Sequence, residues 1–538
     1  TRKRRSSLEM LSPLLLVAVV ALVYYIFNYY RYIRRYPPGP LPLPLIGNIH
    51  QLNIKAVYKS FEKMADKHGN VFTVFLPNPM VVLADYAAVK EAFVTKGECF
   101  VGRPQGRVVS LLGYLPNGGI INSTGPMWRT QRRAALNILR DSGMGSNLME
   151  QQVNESIVEF LRNLDEMKNK ERVDMRWPIQ IMIANIINEV TFGYRYKYDD
   201  CDQLIEYVNN VDKFFEDITT SPTFLLGLHY PWIIDLPIVR KYAYEQHRTN
   251  IDNTYVYIRE EVKKALEGFD VESDEPTCFV QAYRQKMLTN TELSEDQMHH
   301  VASDFFMAGQ ETTATTMRWA ALFLADNQEA QERMREELSR VLGCDRFATM
   351  ADRPRLPFNC AVVHEVQRMA NIAGLNIQHV AVEDVVVQGH LIPKGSYVNG
   401  DIHQVMARDP IFVQSEKFMP QRYLLEDGVT LNKKMVERTI PYSIGKRMCA
   451  GESLARMELF LGLTALVQHY RILPPLDSPI NYEHGPKAIL TPSHTNFLRL
   501  EPVQGRSRTR TRTLSLLSSY VPAEKTEKTT TREERSKA

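Results

Sequence analysis

Residues 11–30 are almost all apolar, and a run of this length leaves the chain few ways to fold there. Twenty residues of helix rise by about 30 Å, which is the hydrocarbon thickness of a bilayer. Four tyrosines crowd the far end of the run, as aromatic side chains do at a lipid–water interface. The alternative, a cleaved signal peptide, would be followed by a small-residue cleavage site, and the sequence shows none. We therefore predict a single transmembrane helix near the N-terminus.

Charge and proline content divide the rest of the chain. Residues 1–35 carry seven Lys or Arg against one acid, and residues 505–538 carry nine against four, so the stretch between them is acidic although the net charge is +3. Basic ends suit anionic lipid headgroups, and the acidic body shows no nucleic-acid-binding face. Five prolines in residues 37–44 predict a stiff, extended segment. The expected parts are an anchor with basic flanks (1–36), a Pro-rich hinge (37–44), a single body (45–503) and a disordered basic, polar tail (504–538).

The body is predicted to be mainly α, with small β-sheets. Apolar periodicity indicates helices over residues 61–68, 150–166, 179–191, 253–267, 294–326, 328–341, 359–369 and 451–469. Strands are expected at 71–76 and 80–84, and again at 380–387 and 391–398, where residues 386–398 alternate like a hairpin around Gly389 and residues 393–395. Strands and helices do not alternate, which argues against a wound parallel sheet. The six scattered cysteines, without a Cys-x-x-Cys pair, read as reduced thiols of a cytosol-facing protein.

One cysteine lies in a segment of distinctive composition. Residues 441–452 read P-Y-S-I-G-K-R-M-C-A-G-E and precede a predicted helix. A bound metal, nearby cations and the positive end of a helix all lower the pKa of a thiol, so Cys449 is placed to act as a thiolate ligand. Gly445 and Gly451 permit the backbone to approach a flat macrocycle closely. Arg447 can reach a carboxylate carried by such a ring.

A second segment, M-A-G-Q-E-T-T at residues 307–313, lies inside the long predicted helix. Gly309 is expected to leave a gap that oxygen or water can enter. The hydroxyl of Thr312 can bond back to a backbone carbonyl and bend the helix. Glu311 and Thr312 supply an acid and a hydroxyl, which together can relay protons. Alone, such residues on a helix usually form a solvated surface.

Two further segments, H-E-V-Q-R at residues 364–368 and F-M-P-Q-R-Y at residues 418–423, contain an acid and two arginines. Glu365 and Arg368 are three residues apart, which puts them on one helix face. A charge-assisted pair can hold them together. An isolated pair of this kind is usually surface decoration, so its weight comes from its place among the other segments.

Taken in order, these segments resemble the cytochrome P450 family. The family signature F-x-x-G-x-R-x-C-x-G appears here as Y-S-I-G-K-R-M-C-A-G, with Tyr442 in place of the Phe that normally packs beside the sulfur. An altered thiolate environment is therefore expected. The resemblance runs from about residue 37 to residue 503 and is greatest to animal microsomal members that oxidise drugs and lipids.

The resemblance implies roles for individual residues. Cys449 would be the axial thiolate ligand of haem b iron, and Glu311 and Thr312 the catalytic pair. Glu365, Arg368 and Arg422 would form a buried supporting triad. Haem contacts are implied for Arg103, Trp128, Arg132, His379, Tyr442, Gly445, Arg447 and Gly451. The substrate pocket would be lined by Phe305, Ala308, Ala373 and Ile377, with parts of residues 107–121 and 214–228.

The implied reaction is monooxygenation of a lipophilic small molecule. No flavin or nicotinamide motif accompanies the haem signature, so the resemblance implies NADPH-cytochrome P450 reductase as electron donor, with cytochrome b5 as a second candidate partner. It also implies the endoplasmic reticulum membrane with the body facing the cytosol, although four basic residues before the span and three after it do not set an orientation. Two alternatives are a reductase-independent enzyme that rearranges peroxides and a non-catalytic haem- or lipid-binding membrane protein. Glu311 and Thr312 argue against both.

Overall fold

The computed structural model describes residues 2–53, 56–76, 78–105, 116–141, 147–220, 227, 230–241, 245–343, 346–483, 492 and 496–503. Helices dominate this part of the chain, and three small sheets lie among them, which confirms the predicted fold class. The first helix, α1, spans Arg2–Ile33, and its apolar portion Leu15–Ile33 is long enough to cross a membrane and is not buried against the protein. The predicted tail, residues 504–538, lies outside the described residues.

The body is built from helices of very different lengths. They are α2 (Val57–His68), α3 (Tyr86–Lys90), α4 (Gly125–Asp141), α5 (Asn147–Glu166), α6 (Arg176–Phe192), α7 (Asp202–Thr220), α8 (Glu245–Leu266), α9 (Phe279–Lys286), α10 (Glu295–Asp326), α11 (Gln328–Leu342), α12 (Pro357–Ala370), α13 (Ile402–Arg408), α14 (Lys433–Arg438) and α15 (Glu452–His469). The apolar faces of α5, α6, α10, α12 and α15 share the main core.

The long helix α10 runs through that core. Its start follows from local chemistry, because the Ser294 side chain accepts the N–H of Gln297 and two acids in the first turn suit the positive helix end. Gly309 lies where α10 meets α6, and a Cβ there would be 2.7 Å from Cδ1 of Ile187. The side chain of Ile187 fills the space on this side of Gly309 and lets the two helices pack closely, while Gly309 itself stays half-buried.

The main sheet has four strands in the order β1-β2-β6-β3. Strand β1 (Val71–Leu76) pairs antiparallel with β2 (Asn78–Leu83), β2 pairs parallel with β6 (Tyr397–Gly400), and β6 pairs antiparallel with β3 (His379–Val380). The other two sheets are the pairs β4 (Val385–Val387) with β5 (His390–Ile392) and β7 (Tyr470–Leu473) with β8 (Arg499–Pro502). In the main sheet, the β2–β6 pair thus joins segments that are far apart in sequence.

The predicted hairpin is confirmed in its first half only. Gln388 and Gly389 have φ values of 47° and 80°, as a two-residue hairpin turn requires. Residues 391–398 do not form one strand, however. Pro393 and Gly395 interrupt it, so that β5 pairs with β4 while β6 crosses to the main sheet.

The proline-rich segment lies against the body. The N–H of Thr73 in β1 donates to the carbonyl of Pro38 at 2.9 Å, and a Cβ at Gly39 would collide with the carbonyl of Thr73. The end of α1 contacts the same region, because the Tyr29 hydroxyl donates to the carbonyl of Leu43 at 3.0 Å. These contacts connect the apolar helix to the sheet edge.

Candidate functional site

The loop that carries Cys449 is closed by its own backbone. The N–H of Cys449 donates to the carbonyl of Tyr442 at 3.0 Å. Gly445 has a φ of 87°, and a Cβ there would collide with the carbonyl of Phe93. On the side where a Cβ would lie, the backbone at Gly445 thus approaches the carbonyl of Phe93 closely. Gly451 precedes α15, and a Cβ there would lie 4.0 Å from the sulfur, which is ordinary contact.

Cys449 is a free cysteine and is exposed in the structure. The protein around it raises the pKa of the thiol, while the N–H of Gly451 and the charge of Arg132 lower that pKa only in part. The helix end and a nearby cation therefore lower the pKa of the thiol as predicted, but they do not outweigh the effect of burial. Because a bound metal cation deprotonates a thiol ligand outright, the thiolate form depends on the metal.

Three arginines gather beside this loop. Arg103 donates to the carbonyls of Ile121, Ile377 and Gln378, at 3.1, 3.1 and 2.7 Å. Arg447 donates to the carbonyls of Val101, Ile120 and Ser123, and Arg132 to that of Met448 at 2.6 Å. Burial lowers the pKa of Arg103 and Arg447, and repulsion from the neighbouring arginines lowers it further. Across the described ranges no carboxylate pairs with any of the three, so the cluster is suited to an anionic group.

Two buried nitrogen atoms in the same region lack partners. Nε1 of Trp128 and Nε2 of His379 have no hydrogen-bond partner in the part of the chain that the structure describes. Buried indole N–H groups normally find an acceptor. The Arg447 guanidinium lies 3.9 Å from the centre of the Trp128 ring, and Nδ1 of His379 bonds to the carbonyl of Phe100 at 2.8 Å. Cations and orphaned nitrogens together fit the two carboxylates of a haem.

Glu365, Arg368 and Arg422 come together in the buried interior. Nε and Nη2 of Arg368 lie 2.7 and 3.0 Å from the carboxylate oxygens of Glu365, and Nε of Arg422 lies 3.1 Å away. The N–H of Met419 donates to the same carboxylate at 2.8 Å. Arg422 also donates to the carbonyls of Val413, Gln414 and Lys417, so it ties the loop before it to α12. The arrangement joins α12 to residues 413–422.

One face of α10 is less buried than the rest. Between residues 301 and 316, the half-buried positions are 305, 307, 308, 309 and 312, and most of these follow the i, i+3, i+4, i+7 spacing of one helix face. The Thr312 hydroxyl on this face donates to the carbonyl of Ala308 at 2.7 Å, which confirms the predicted back-bond. Glu311 is buried, and the Thr315 hydroxyl donates to it at 3.0 Å.

The residues predicted to line a substrate pocket are placed differently from one another. Ala308 and Ala373 are half-buried, and Ile377 is exposed. Phe305 packs edge-on against Phe279, with ring centres 5.0 Å apart, so part of its surface belongs to the core. Much of the predicted pocket, including residues 107–115 and most of 221–228, lies outside the described residues.

Two buried acids were not predicted from sequence. Asp304 on α10 accepts the N–H groups of Ile120 and Ile121 at 2.7 and 3.0 Å, and burial raises its pKa to about 7. Glu458 on α15 is fully buried and hydrogen-bonds to Thr313 on α10, and one of its carboxylate oxygens has no partner among the residues that the structure describes. The sequence feature that could have predicted their burial is that each acid lies alone in an otherwise apolar stretch of helix.

We predict that Glu458 makes the protein less stable in alkali. Burial raises the pKa of Glu458 to about 8, from an ordinary value near 4.5. The neutral Glu458 carboxyl stabilises the fold fully below its ordinary pKa near 4.5. This stabilisation is lost as the pH rises through the pKa of about 8 that the group has in the folded protein. Glu458→Gln should therefore unfold at a higher temperature than wild type at pH 8–9, with a free energy of unfolding that is larger by about 1–3 kcal/mol. At pH 5 the variant and the wild type should have nearly the same stability. Glu426→Gln, at an exposed position, serves as the control, and equal pH profiles for the two variants would contradict the prediction.

The donor chemistry around Cys449 and the helical fold are those of the haem-thiolate proteins. A sequence profile described as "Cytochrome P450" matches residues 37–500. "Cytochrome P450 2H1" of Gallus gallus is 36% identical over 452 residues, which cover 82% of this chain and 88% of that relative. "Cytochrome P450 2C21" of Canis lupus familiaris is 34% identical over 466 residues, covering 84% and 92%, and "Cytochrome P450 2G1" of Oryctolagus cuniculus is 32% identical over 457, covering 84% and 90%. The chain belongs to the cytochrome P450 family and is a haem-thiolate monooxygenase.

Proposed function

We propose that the protein inserts one atom of O2 into a lipophilic organic substrate, with electrons from a separate NADPH-dependent reductase. The substrate gains a hydroxyl group, and the second oxygen atom leaves as water after two electrons and two protons are taken up. The observation that carries the proposal is the set of two buried arginines, one half-buried arginine and the orphaned nitrogens beside the Cys449 thiol. This set suits a cofactor with two carboxylates and an iron that binds sulfur.

The cofactor we propose is haem b. Cys449 would ligate its iron, and the carboxylates would be held by Trp128, Arg132, Arg447, His379 and Arg103. When bound, haem with a thiolate ligand supplies oxygen binding and favours cleavage of the O–O bond. Placing anions among three arginines that repel one another would also remove an unfavourable interaction of the protein alone.

We propose that Glu311 and Thr312 deliver protons. The Thr312 hydroxyl proton is engaged by the carbonyl of Ala308, so the oxygen atom of the hydroxyl remains able to accept a hydrogen bond on the half-buried face of α10. Glu311 is the adjacent acid, and Thr315 holds its carboxylate. Together they offer a route from a buried carboxyl to the proposed reaction site.

Thr312→Ala is expected to uncouple electron consumption from product formation. Loss of the hydroxyl removes the last proton carrier of the proposed relay, so reduced oxygen should leave as hydrogen peroxide. We expect product per NADPH to fall roughly tenfold or more. The measurement is the ratio of peroxide to product at matched NADPH consumption. Thr316→Ala, which removes a comparable back-bond at 2.9 Å one turn further along, is the control, and an unchanged ratio in Thr312→Ala would contradict the proposed role.

We propose that the body lies on the cytosolic face of the endoplasmic reticulum, anchored by α1. The apolar portion of α1 and its contacts with the sheet edge support a position at the membrane surface, where lipophilic substrates partition. Phe305, Ala308, Ala373 and Ile377 would form part of the substrate pocket. NADPH-cytochrome P450 reductase and cytochrome b5 are the proposed protein partners.

The proposal is tested by reconstitution in lipid vesicles with NADPH-cytochrome P450 reductase. Fatty acids and apolar foreign compounds are screened for products that require NADPH, O2 and the reductase together. Products that form from organic hydroperoxides and ignore the reductase would instead indicate the peroxide-rearranging alternative. Haem binding with no turnover of any substrate class would indicate a binding protein.

A further inference from the structure

The side chain of Tyr442 is held at two points. Nε2 of Gln367, on α12, donates a hydrogen bond of 2.6 Å to the Tyr442 hydroxyl. The Arg456 guanidinium lies 4.9 Å from the centre of the Tyr442 ring, and Glu452 bonds to Arg456 at 2.8 Å. The ring is therefore fixed at its tip by α12 and on one face by α15.

These contacts bear directly on the sulfur-bearing loop. The carbonyl of Tyr442 accepts the N–H of Cys449, so the backbone at the two ends of the loop is joined. Between them Ser443 and Gly445 both have positive φ, of 58° and 87°. A serine in this region of backbone space is held there by its surroundings rather than by its own preference.

The position of Gln367 in α12 is fixed by its neighbours in the chain. It lies between Glu365 and Arg368, which are locked by their buried ion pair with Arg422. Gln367 is itself 5% exposed, and its Oε1 has no hydrogen-bond partner among the described residues. The Tyr442 hydroxyl is thus the group that the Gln367 amide bonds to, and a chain with Phe at position 442 would leave this buried amide without it.

We propose that Gln367 is a positioning residue for Cys449 and acts through the Tyr442 hydroxyl. The Gln367–Tyr442 hydrogen bond anchors the loop that carries Cys449 to α12, the helix of Glu365 and Arg368, and keeps the sulfur in its ligating position. This inference rests on the proposed assignment of Cys449 as the iron ligand. Tyr442 is then a matched partner of Gln367 rather than a neutral replacement for Phe.

The test is a double-mutant cycle with Tyr442→Phe, Gln367→Leu and the double variant, each prepared with haem. The readout is the rate at which the band at about 450 nm of the reduced carbon-monoxide complex is lost at a temperature where far-ultraviolet circular dichroism is unchanged. We expect each single variant to lose the band roughly fivefold faster, the factor that corresponds to one hydrogen bond of about 1 kcal/mol. The double variant should be no worse than either single, because Phe beside Leu leaves no unpaired buried amide.

Tyr283→Phe is the matched control, because it removes a second Tyr–Gln hydrogen bond of 2.6 Å, which Tyr283 donates to Gln131 in the buried interior. It should lower the unfolding temperature about as much as Tyr442→Phe and leave the rate of band loss unchanged. Single variants that keep the band like wild type, or effects that simply add in the double variant, would overturn the inference. If the wild type itself shows no band at about 450 nm, the ligand assignment fails, and this inference fails with it.

Discussion

Cys449→Ser is expected to abolish the band at about 450 nm of the reduced carbon-monoxide complex and all NADPH-dependent turnover. Burial raises the pKa of the Cys449 thiol, and a bound metal cation would favour its thiolate form. A serine hydroxyl is far less acidic and is not a soft ligand, and it cannot replace the thiolate. Serine is nearly the same size as cysteine and keeps the backbone bond to Tyr442, so the chain should still fold.

The control for this experiment is Cys99→Ser. Cys99 is half-buried, and its thiol hydrogen-bonds to Glu383 at 2.9 Å, a bond that a serine hydroxyl can also make. Its band and turnover should match wild type. Circular dichroism of both variants checks that the fold persists. A band at about 450 nm that survives in Cys449→Ser would show that another residue ligates the iron.

Arg368→Leu is expected to prevent accumulation of folded, haem-loaded protein. Glu365 and Arg368 are almost completely buried, so the change leaves the Glu365 carboxylate with Arg422 as its remaining cation. Breaking a buried pair in this way costs about 3–5 kcal/mol, a large part of the 5–15 kcal/mol that stabilises a typical protein. Haem content per chain and the unfolding midpoint in denaturant measure the effect.

Arg368→Lys and Arg248→Ala complete this series. Lysine keeps the charge but cannot form the two parallel bonds that Arg368 makes, so an intermediate loss is expected. Arg248 pairs with Asp252 at 3.4 Å on the surface, four residues along a helix, and its loss should cost less than about 0.5 kcal/mol. If Arg368→Leu were as stable as Arg248→Ala, the buried cluster would not support the fold.

Local patterns predicted much of the fold. The helix expected at residues 294–326 exists as α10 (Glu295–Asp326), because its N-cap and its apolar periodicity lie within a short stretch of chain. The turn at Gln388 and Gly389 follows equally from local residue types. The split between β5 and β6 could not be predicted in this way, because one of the two partners of β6 is β2, more than three hundred residues earlier in the chain.

In the candidate site, too, some features follow from the local sequence and others depend on distant parts of the chain. Its residues were named from short segments, and the structure brings Arg103, Trp128, Arg132, His379 and Arg447 to the loop of Cys449. The environment of each residue was less predictable. The raised pKa of Cys449, the packing of Gly309 on Ile187 and the buried acids Asp304 and Glu458 all depend on side chains from other helices.

The sequence by itself determined the apolar helix and the mainly helical body, and its resemblance to a known family named the residues proposed to hold a haem iron and the haem carboxylates. It could do so because periodicity, helix caps and donor chemistry are properties of residues close together in the chain. Only the tertiary structure decided which polar atoms are orphaned, which charges are desolvated and that Gln367 holds the hydroxyl of Tyr442. Desolvation and hydrogen-bond pairing are set by every atom within a few ångströms, and in a packed core most of those atoms come from distant parts of the chain.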